Sequence, residues 1–511
     1  MPYRALDAVA VACILACLWQ FRSWRKNRDR PPLPPGPKGL PLIGNILDMP
    51  EAEEWEAARK WGEKYGPVIH VKNLGTSYIF VNSYQAAVDL FEKRWSIYSS
   101  RPKIPLWELE SWDWFMPVMP YGDELRRARQ LMHRFFQPAA VVDYLEMQTQ
   151  VTRKMLQNLL NTPEMFPEIA NHAAGETILK MTYGYQVMEK DDPYVALGIR
   201  GLDAFAEAEG FFLVNALPWL KYLPSWFPGT QFKRIAKEGL KNSLDMYYGQ
   251  YKLAKEKFAK GSVVPSMSSK LIEASLADDT VINDEMLVAK VTSTAYGAGV
   301  DTTVSSLHSF LLAMVLYPEV QRRAQEELDK VVGKDALPSF DDRQNLPYLN
   351  AVIKETYRWQ IVAPLAAAHT ATEDDVYNGS FIPAGAIVLP NLWAMMKDPT
   401  TYPNPDQFIP ERWLPQDGKE SPLDVYKIVF GIGRRVCTGR HFADNAIFMG
   451  TASLLAAFNF SKALDEHGVP ITPGQEYYTH FVRHPRPFKY SLTPRSEKIA
   501  SIIHQAVEAE K

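Results

Sequence analysis

A mainly α-helical protein with small β-sheets, folded as one large domain, is what this sequence predicts. Three observations carry that expectation. Seven long segments place apolar residues at helical spacing, only a few short runs read as strands, and no repeat, charge block or low-complexity linker divides the 511 residues after position 45. Hydrophobic residues make up 46% and charged residues 23%, which suits a sizeable core and excludes a disordered chain. The net charge of -3 gives no sign of a nucleic-acid partner.

The first element is a run from Ala5 to Phe21 broken only by Asp7 and Gln20. As a helix it covers roughly 25 Å, just enough for a thin bilayer. Arg22, Arg25, Lys26, Arg28 and Arg30 follow it and only Arg4 precedes it, so residues 1–30 read as a retained signal anchor with the body on the cytosolic side. A cleaved signal peptide is the competing reading. It is disfavoured because the basic cluster follows the apolar run and no small-x-small cleavage site is visible. Pro31, Pro32, Pro34, Pro35 and Pro37 make residues 31–45 a stiff hinge, and residues 46–511 form the catalytic body. Cys13 and Cys17 fall in the anchor, leaving Cys437 as the body's one thiol; three cysteines make no disulfide framework, so the body belongs in a reducing compartment.

Val68–Val71 and Tyr78–Val81 flank a turn at Gly75 and predict a hairpin. Helical periodicity predicts helices over 52–64, 124–136, 142–160, 231–260, 285–316, 318–332 and 347–359, with Pro318 starting one where Tyr317 ends another. Short strands are expected over 387–390 and 488–492.

Two places break local rules. The helix 285–316 crosses the core yet carries Gly297, Ala298, Gly299, Asp301, Thr302 and Thr303 at its middle, although each interior glycine costs about 1 kcal/mol against alanine. Such a breach marks a site. The small residues leave room for a diatomic ligand, threonine can bond a backbone carbonyl and open the helix, and the acid can relay protons. The second place is Phe430-Gly431-Ile432-Gly433-Arg434-Arg435-Val436-Cys437-Thr438-Gly439, one cysteine in a glycine-bounded turn before an apolar helical stretch. Glycines at 431, 433 and 439 permit close approach of a flat cofactor, and a nearby cation with the following helix's positive end would favour the thiolate that ligates iron. A buried structural cysteine is the bland alternative.

The cysteine loop resembles the signature Phe-x-x-Gly-x-Arg-x-Cys-x-Gly of the cytochrome P-450 family of haem-thiolate monooxygenases at every defined position. Residues 298–303 are similar to the family's oxygen-activation motif Ala/Gly-Gly-x-Asp/Glu-Thr-Thr/Ser. Glu355 and Arg358, with Arg412 in Phe408-Ile409-Pro410-Glu411-Arg412-Trp413, resemble its scaffold triad. The resemblance implies a cytochrome P-450 fold holding haem b, with Cys437 as axial ligand to the iron. It implies that Asp301 and Thr302 deliver protons, that Arg435, Arg129 and His369 meet the propionates, and that Phe430, Gly431, Gly439 and Ala298 lie against the cofactor. One departure stands out: Leu125 occupies the tryptophan position of Trp-x-x-x-Arg, leaving a propionate contact missing or replaced.

The family's recognition segments map onto Leu106–Met119, Phe211–Leu213, Tyr296–Thr302, Ile361–Ala367 and Tyr478–Phe481. Arg126, Arg127, His133, Arg134 and Arg434 are expected on the cysteine side, either as a basic docking face or as ordinary solvated charges. Pro218 to Pro228 reads as a connector dipping into the membrane interface or as a packed loop. The implied enzyme is anchored in the endoplasmic reticulum and inserts one atom of O2 into a lipophilic small molecule, with electrons from NADPH passed by NADPH-cytochrome P-450 reductase. Met119–Asp123 and Leu346–Asn350 look like basidiomycete enzymes of secondary metabolism, with a terpenoid favoured over an indole or polyketide. A reductase-independent peroxide isomerase or dehydratase, and a haem carrier without turnover, are the alternatives.

Overall fold

The computed structural model describes residues 30–510 except 211–212, 278–283, 417 and 419. The expected anchor with Cys13 and Cys17, and Phe211, therefore lie outside the described residues. In chain order the main elements are α1 (Glu54–Tyr65), β1 (Val68–Asn73), β2 (Thr76–Val81), then, after short helical turns, α2 (Asp123–Phe136), α3 (Leu145–Asn161), α4 (Phe166–Tyr183), α5 (Pro193–Glu209), α6 (Phe232–Ala259), α7 (Met267–Leu276), α8 (Glu285–Leu316), α9 (Pro318–Val331) and α10 (Pro347–Trp359). Then follow β3 (His369–Thr370), β4 (Asp375–Tyr377), β5 (Ser380–Ile382), β6 (Ile387–Pro390), α11 (Arg440–Ala457), β7 (Phe458–Lys462), β8 (Tyr490–Pro494) and α12 (Glu497–Glu508).

The hairpin forms as expected. Leu74 and Gly75, with φ of 46° and 93°, make the two-residue turn that suits the right-handed twist of β1 and β2. β6 adds parallel to β2 and β3 pairs antiparallel with β6, giving the order β1-β2-β6-β3. The pairs β4–β5 and β7–β8 are separate two-stranded sheets.

Helix α8 starts where Asp284 accepts the Leu287 N–H at 3.1 Å and stops at Tyr317 before Pro318. It is buried from Leu287 to Val315 over nearly its whole surface and packs on α4, α5, α6 and α11. Among the described residues it is also the one helix long and apolar enough to cross a membrane, but it spends those side chains on the core. Each large apolar side chain buried there stabilises by about 1.5–3 kcal/mol.

Helices α4 and α5 were not expected. α4 is apolar on most sides because it lies between α8 and α3, so its periodicity is weak. α5 carries Gly198 and Gly201, which read as breakers; a Cβ at Gly198 would sit 2.8 Å from the Tyr296 hydroxyl and one at Gly201 1.9 Å from the Met246 sulfur. These glycines are close-approach points against α8 and α6, not turns.

Candidate active site

The cysteine loop is built by two glycines and one hydrogen bond. Gly431 and Gly433 have φ of 82° and 73°, and a Cβ on Gly433 would lie 2.1 Å from the Phe91 carbonyl oxygen. The Cys437 N–H donates to the Phe430 carbonyl at 2.8 Å, closing the turn before α11. Gly439 does not need its freedom: its φ is -83°, and the nearest atoms to a Cβ there are the Cys437 sulfur and a Phe136 carbon, both at 4.0 Å. Cys437 is exposed, and the space it faces is a cavity of about 350 Å³ inside the molecule. Phe430, Gly431, Arg435 and Gly439 line that cavity on the sulfur's side. The expected ready-made thiolate is not what the surroundings favour. Burial pushes the Cys437 thiol above its ordinary range, and the Gly439 N–H with the charges of Arg129 and Arg440 offsets this only in part. A coordinated metal would deprotonate it.

Helix α8 forms another wall through Ala298, Gly299, Thr302 and Thr303. The Thr302 hydroxyl donates to the Ala298 carbonyl at 3.0 Å, yet the helix runs on without opening. The two glycines serve packing: a Cβ on Gly299 would lie 2.7 Å from Ile178 of α4 and one on Gly297 3.0 Å from Met246 of α6. Room for a small ligand therefore comes from Ala298 and Thr302 and not from the glycines. Asp301 points elsewhere, into a second cavity of about 670 Å³, where Oδ1 lies 2.9 Å from His484 Nε2. Ala298 and Thr302 border both cavities.

One end of the first cavity gathers cationic side chains. Arg435 donates to the carbonyls of Ser99 at 2.7 Å and Met119 at 2.6 Å, and Arg129 to that of Val436 at 2.8 Å. Carbonyls solvate these guanidinium groups without neutralising them. Burial first, and Arg129 second, pull Arg435 down to about 9; burial lowers Arg129 as well. His369 joins them, but not as the cation expected. Its Nδ1–H donates to the Tyr98 carbonyl at 2.7 Å, and burial together with Arg101 and Arg435 holds it well below the usual histidine range, so it is neutral. Arg101 was missed. It lines the same end and donates to the carbonyls of Pro117, Ala367 and Ala368 at 2.7, 2.8 and 3.0 Å, joining chain segments far apart in sequence. Leu125 is buried in the apolar cluster beside α8 and reaches none of these groups.

Glu355, Arg358 and Arg412 meet in one hydrogen-bonded network. Glu355 accepts from Arg358 Nη2 at 2.7 Å and Nε at 2.9 Å, from Arg412 Nε at 3.1 Å, from the Ile409 N–H at 2.9 Å and from Trp413 Nε1 at 2.9 Å. Arg358 spends its other donors on the carbonyls of Pro405 and Gln407 at 2.7 and 2.9 Å. The network ties α10 to the stretch leading into the cysteine loop.

Of the expected recognition segments, Met116, Val362, Ala363, Ala366, Ala367 and Phe481 line the first cavity, and Tyr478 the second. Leu106 to Trp114 stay behind this wall in an aromatic cluster where Trp107 stacks on Phe205, and Leu213 is exposed. Trp219, Tyr222 and Trp226 are 58%, 79% and 80% exposed, so the connector is not a packed loop. Arg126, Arg127, His133, Arg134 and Arg434 are exposed, but Arg126 pairs with Asp123 and Arg127 with Asp284, which thins the basic face.

Residues 34–492 match the family model described as cytochrome P-450. The chain belongs to the cytochrome P-450 family. It is 42% identical to the cytochrome P-450 monooxygenase claR of Ampulloclitocybe clavipes, covering 96% of this chain and 92% of that one. It is 38% identical to cytochrome P-450 monooxygenase 208 of Postia placenta over 99% of both chains. Tryptamine 4-monooxygenase of Psilocybe cyanescens is 37% identical over 96% of this chain and 99% of its own. This cytochrome P-450 is a monooxygenase, and its family implies a haem-iron cofactor, O2, a reductase and a small-molecule substrate. The residues present fit haem: an accessible sulfur, apolar walls, and half-buried Arg129 and Arg435, which donate to main-chain carbonyls at the end where two propionates would neutralise them.

Proposed function

We propose that this enzyme inserts oxygen into a lipophilic small molecule of fungal secondary metabolism, a terpenoid by preference, with electrons from NADPH carried by NADPH-cytochrome P-450 reductase. The observation that carries the reading is Cys437 exposed in a largely apolar cavity bordered by Ala298 and Thr302. Haem b, when bound, supplies the oxygen activation and the oxidising chemistry. Cys437 would ligate its iron, Phe430, Gly431, Gly439 and Ala298 would lie against it, and Arg435, Arg129, Arg101 and His369 would meet its propionates. Thr302 and Asp301 move protons, Oγ1 of Thr302 at the cavity wall and the Asp301 carboxylate from the far side of α8. Glu355, Arg358 and Arg412 hold the cysteine loop in register.

Residues 1–30 would anchor the chain in the endoplasmic reticulum, 31–45 act as the hinge, and 46–511 form the cytosolic catalytic domain. The exposed Trp219, Tyr222 and Trp226 support a membrane-facing entry for substrate. A second reading, an amine-bearing indole, is favoured by the Asp203 carboxylate in the second cavity and by the tryptamine 4-monooxygenase relative.

The test is expression in yeast with the reductase, feeding of fungal terpenoid and indole extracts, and mass spectrometry of oxidised products alongside NADPH consumption. Oxygenated products dependent on NADPH are expected, together with a carbon-monoxide difference spectrum that Cys437→Ala abolishes. Product formation without reductase, or an unchanged spectrum in Cys437→Ala, would overturn the reading.

A further inference from the structure

The mechanism above uses Asp301 but leaves its partner unexplained. His484 comes from the segment after Phe481, and the fold fixes it firmly: the Ser305 hydroxyl of α8 donates to the neighbouring Arg483 carbonyl, and the Tyr478 N–H donates to the His484 carbonyl at 2.9 Å. Its Nε2 is thereby set 2.9 Å from Asp301 Oδ1. Two turns along the same face of α8, His308 stacks edge-on to His484 with ring centroids 5.7 Å apart. His308 Nε2 is buried without a hydrogen-bond partner among the described residues, and burial keeps this ring neutral with a pKa of about 3. The other ionisable groups around this cavity are Asp203 of α5, Tyr478, His480 and Arg486 of the His484 segment, Tyr490 of β8, Glu164 just before α4 and Glu168 in its first turn. Burial and the Asp301 charge raise Asp203.

The arrangement separates two tasks. The first cavity holds the sulfur, apolar walls and, at one end, Arg101, Arg129, His369 and Arg435, while the second holds the ionisable groups around Asp301; the two share Pro117, Ala298, Thr302 and Phe481. We propose that the second cavity is the solvent route for protons to residues 301–302 and that His484 is the positioning residue that loads Asp301 from it. In that step the imidazolium Nε2–H bond breaks and the proton bonds to Asp301 Oδ1, leaving a neutral imidazole and a carboxylic acid. A hydronium ion from solvent, relayed through cavity water, then reprotonates the imidazole and is left as water. The protonated pair holds the carboxylate away from Thr302; its neutralisation releases the side chain toward the shared wall.

The inference rests on the reading of Asp301 as a proton-relay residue, and the test separates the two. Haem-loaded chain is reconstituted with its reductase, and NADPH oxidation is followed without added substrate in H2O and D2O across pH, for the parent, His484→Gln, His484→Ala and Asp301→Asn. Gln keeps a donor to Asp301 but carries no exchangeable charge. His484→Gln is expected to lower the rate by about tenfold, raise the solvent isotope effect and flatten the pH profile, with Asp301→Asn at least as slow. A parent-like rate, isotope effect and pH profile in both His484 variants, with Asp301→Asn impaired, overturns the His484 role alone. An unimpaired Asp301→Asn overturns the relay reading itself. A readout independent of turnover is the rate of diethyl pyrocarbonate modification at His484 at a fixed pH, located by mass spectrometry of the peptide. The rate is expected to rise in Asp301→Asn, because ring Nε2 loses the carboxylate oxygen that engages it at 2.9 Å. An unchanged rate overturns the pairing, and this measurement stands even where a His484 variant fails to take up haem.

Discussion

Replacing Glu355 by glutamine removes the negative charge that Arg358 and Arg412 share while leaving the side chain's shape. The Glu355 and Arg358 side chains are 0% exposed and Arg412 is 7% exposed, so water cannot take over the lost compensation. The amide also presents a donor where Arg358, Arg412, Ile409 and Trp413 all donate. Breaking a buried ion network on one side costs about 3–5 kcal/mol. Unfolding entropy of about 2.1 cal/mol/K per residue makes roughly 1 kcal/mol/K for a chain this long, so Glu355→Gln should lower the melting temperature by about 3–5 °C. The comparison is Glu319→Gln, which breaks a solvent-screened exposed pair with Arg322 and should move it by less than about 1 °C. Scanning calorimetry of the haem-loaded, detergent-solubilised chain reads both, at low and high salt; only the exposed pair should respond to salt. The cofactor signal adds a second reading, because the network holds residues 405–413 ahead of the cysteine loop: Glu355→Gln should retain less haem. If it melts with Glu319→Gln and keeps the full carbon-monoxide difference spectrum, the network is not holding the loop.

Gly433→Ala must fit a methyl group 2.1 Å from the Phe91 carbonyl at a φ of 73°, so it should cost about 2 kcal/mol or more and reduce haem content. A haem-to-protein absorbance ratio equal to the parent's would contradict this. Arg101→Leu strips three main-chain carbonyls of their donor and should speed haem loss, measured by transfer to an apoglobin acceptor; an unchanged rate would place Arg101 outside the cofactor site. Glu110 is fully buried beside Trp112 and its pKa is pushed up to about 7 by burial. A raised carboxyl pKa means the folded chain binds the proton more tightly, so this contribution is complete below pH 4.5 and is lost as pH rises through about 7. Glu110→Gln should therefore gain on the parent in thermal melts across that window, and melting curves that stay parallel would refute the assignment.

What the chain discloses before folding depends on how local each feature is. The limits of α8 and α10 are legible because Asp284, Tyr317-Pro318 and Pro347 act within one helical turn of themselves. The cysteine loop is legible for the same reason, its glycine angles and its Phe430–Cys437 bond lying within ten residues. Helix α5 is not, since Gly198 and Gly201 answer to Tyr296 and Met246, and their meaning is steric fit across the core. Arg101 and His484 escape notice likewise: Ala367 and Asp301, which they meet, are remote in sequence, and a lone arginine or histidine looks like any solvated charge until the fold joins the two ends. Charge states are the least legible of all. Cys437 sits beside arginines and a helix start, and His369 sits in a cofactor pocket, so residue types alone argue for a thiolate and an imidazolium; burial reverses both, because removing a charged group from water outweighs neighbours that carbonyls already engage. That reversal has a functional sense. A protein that by itself disfavours these ionised groups gains most from a ligand bringing a metal cation to the sulfur and two carboxylates to the arginines, so the electrostatic deficit of the protein becomes part of the affinity for the cofactor.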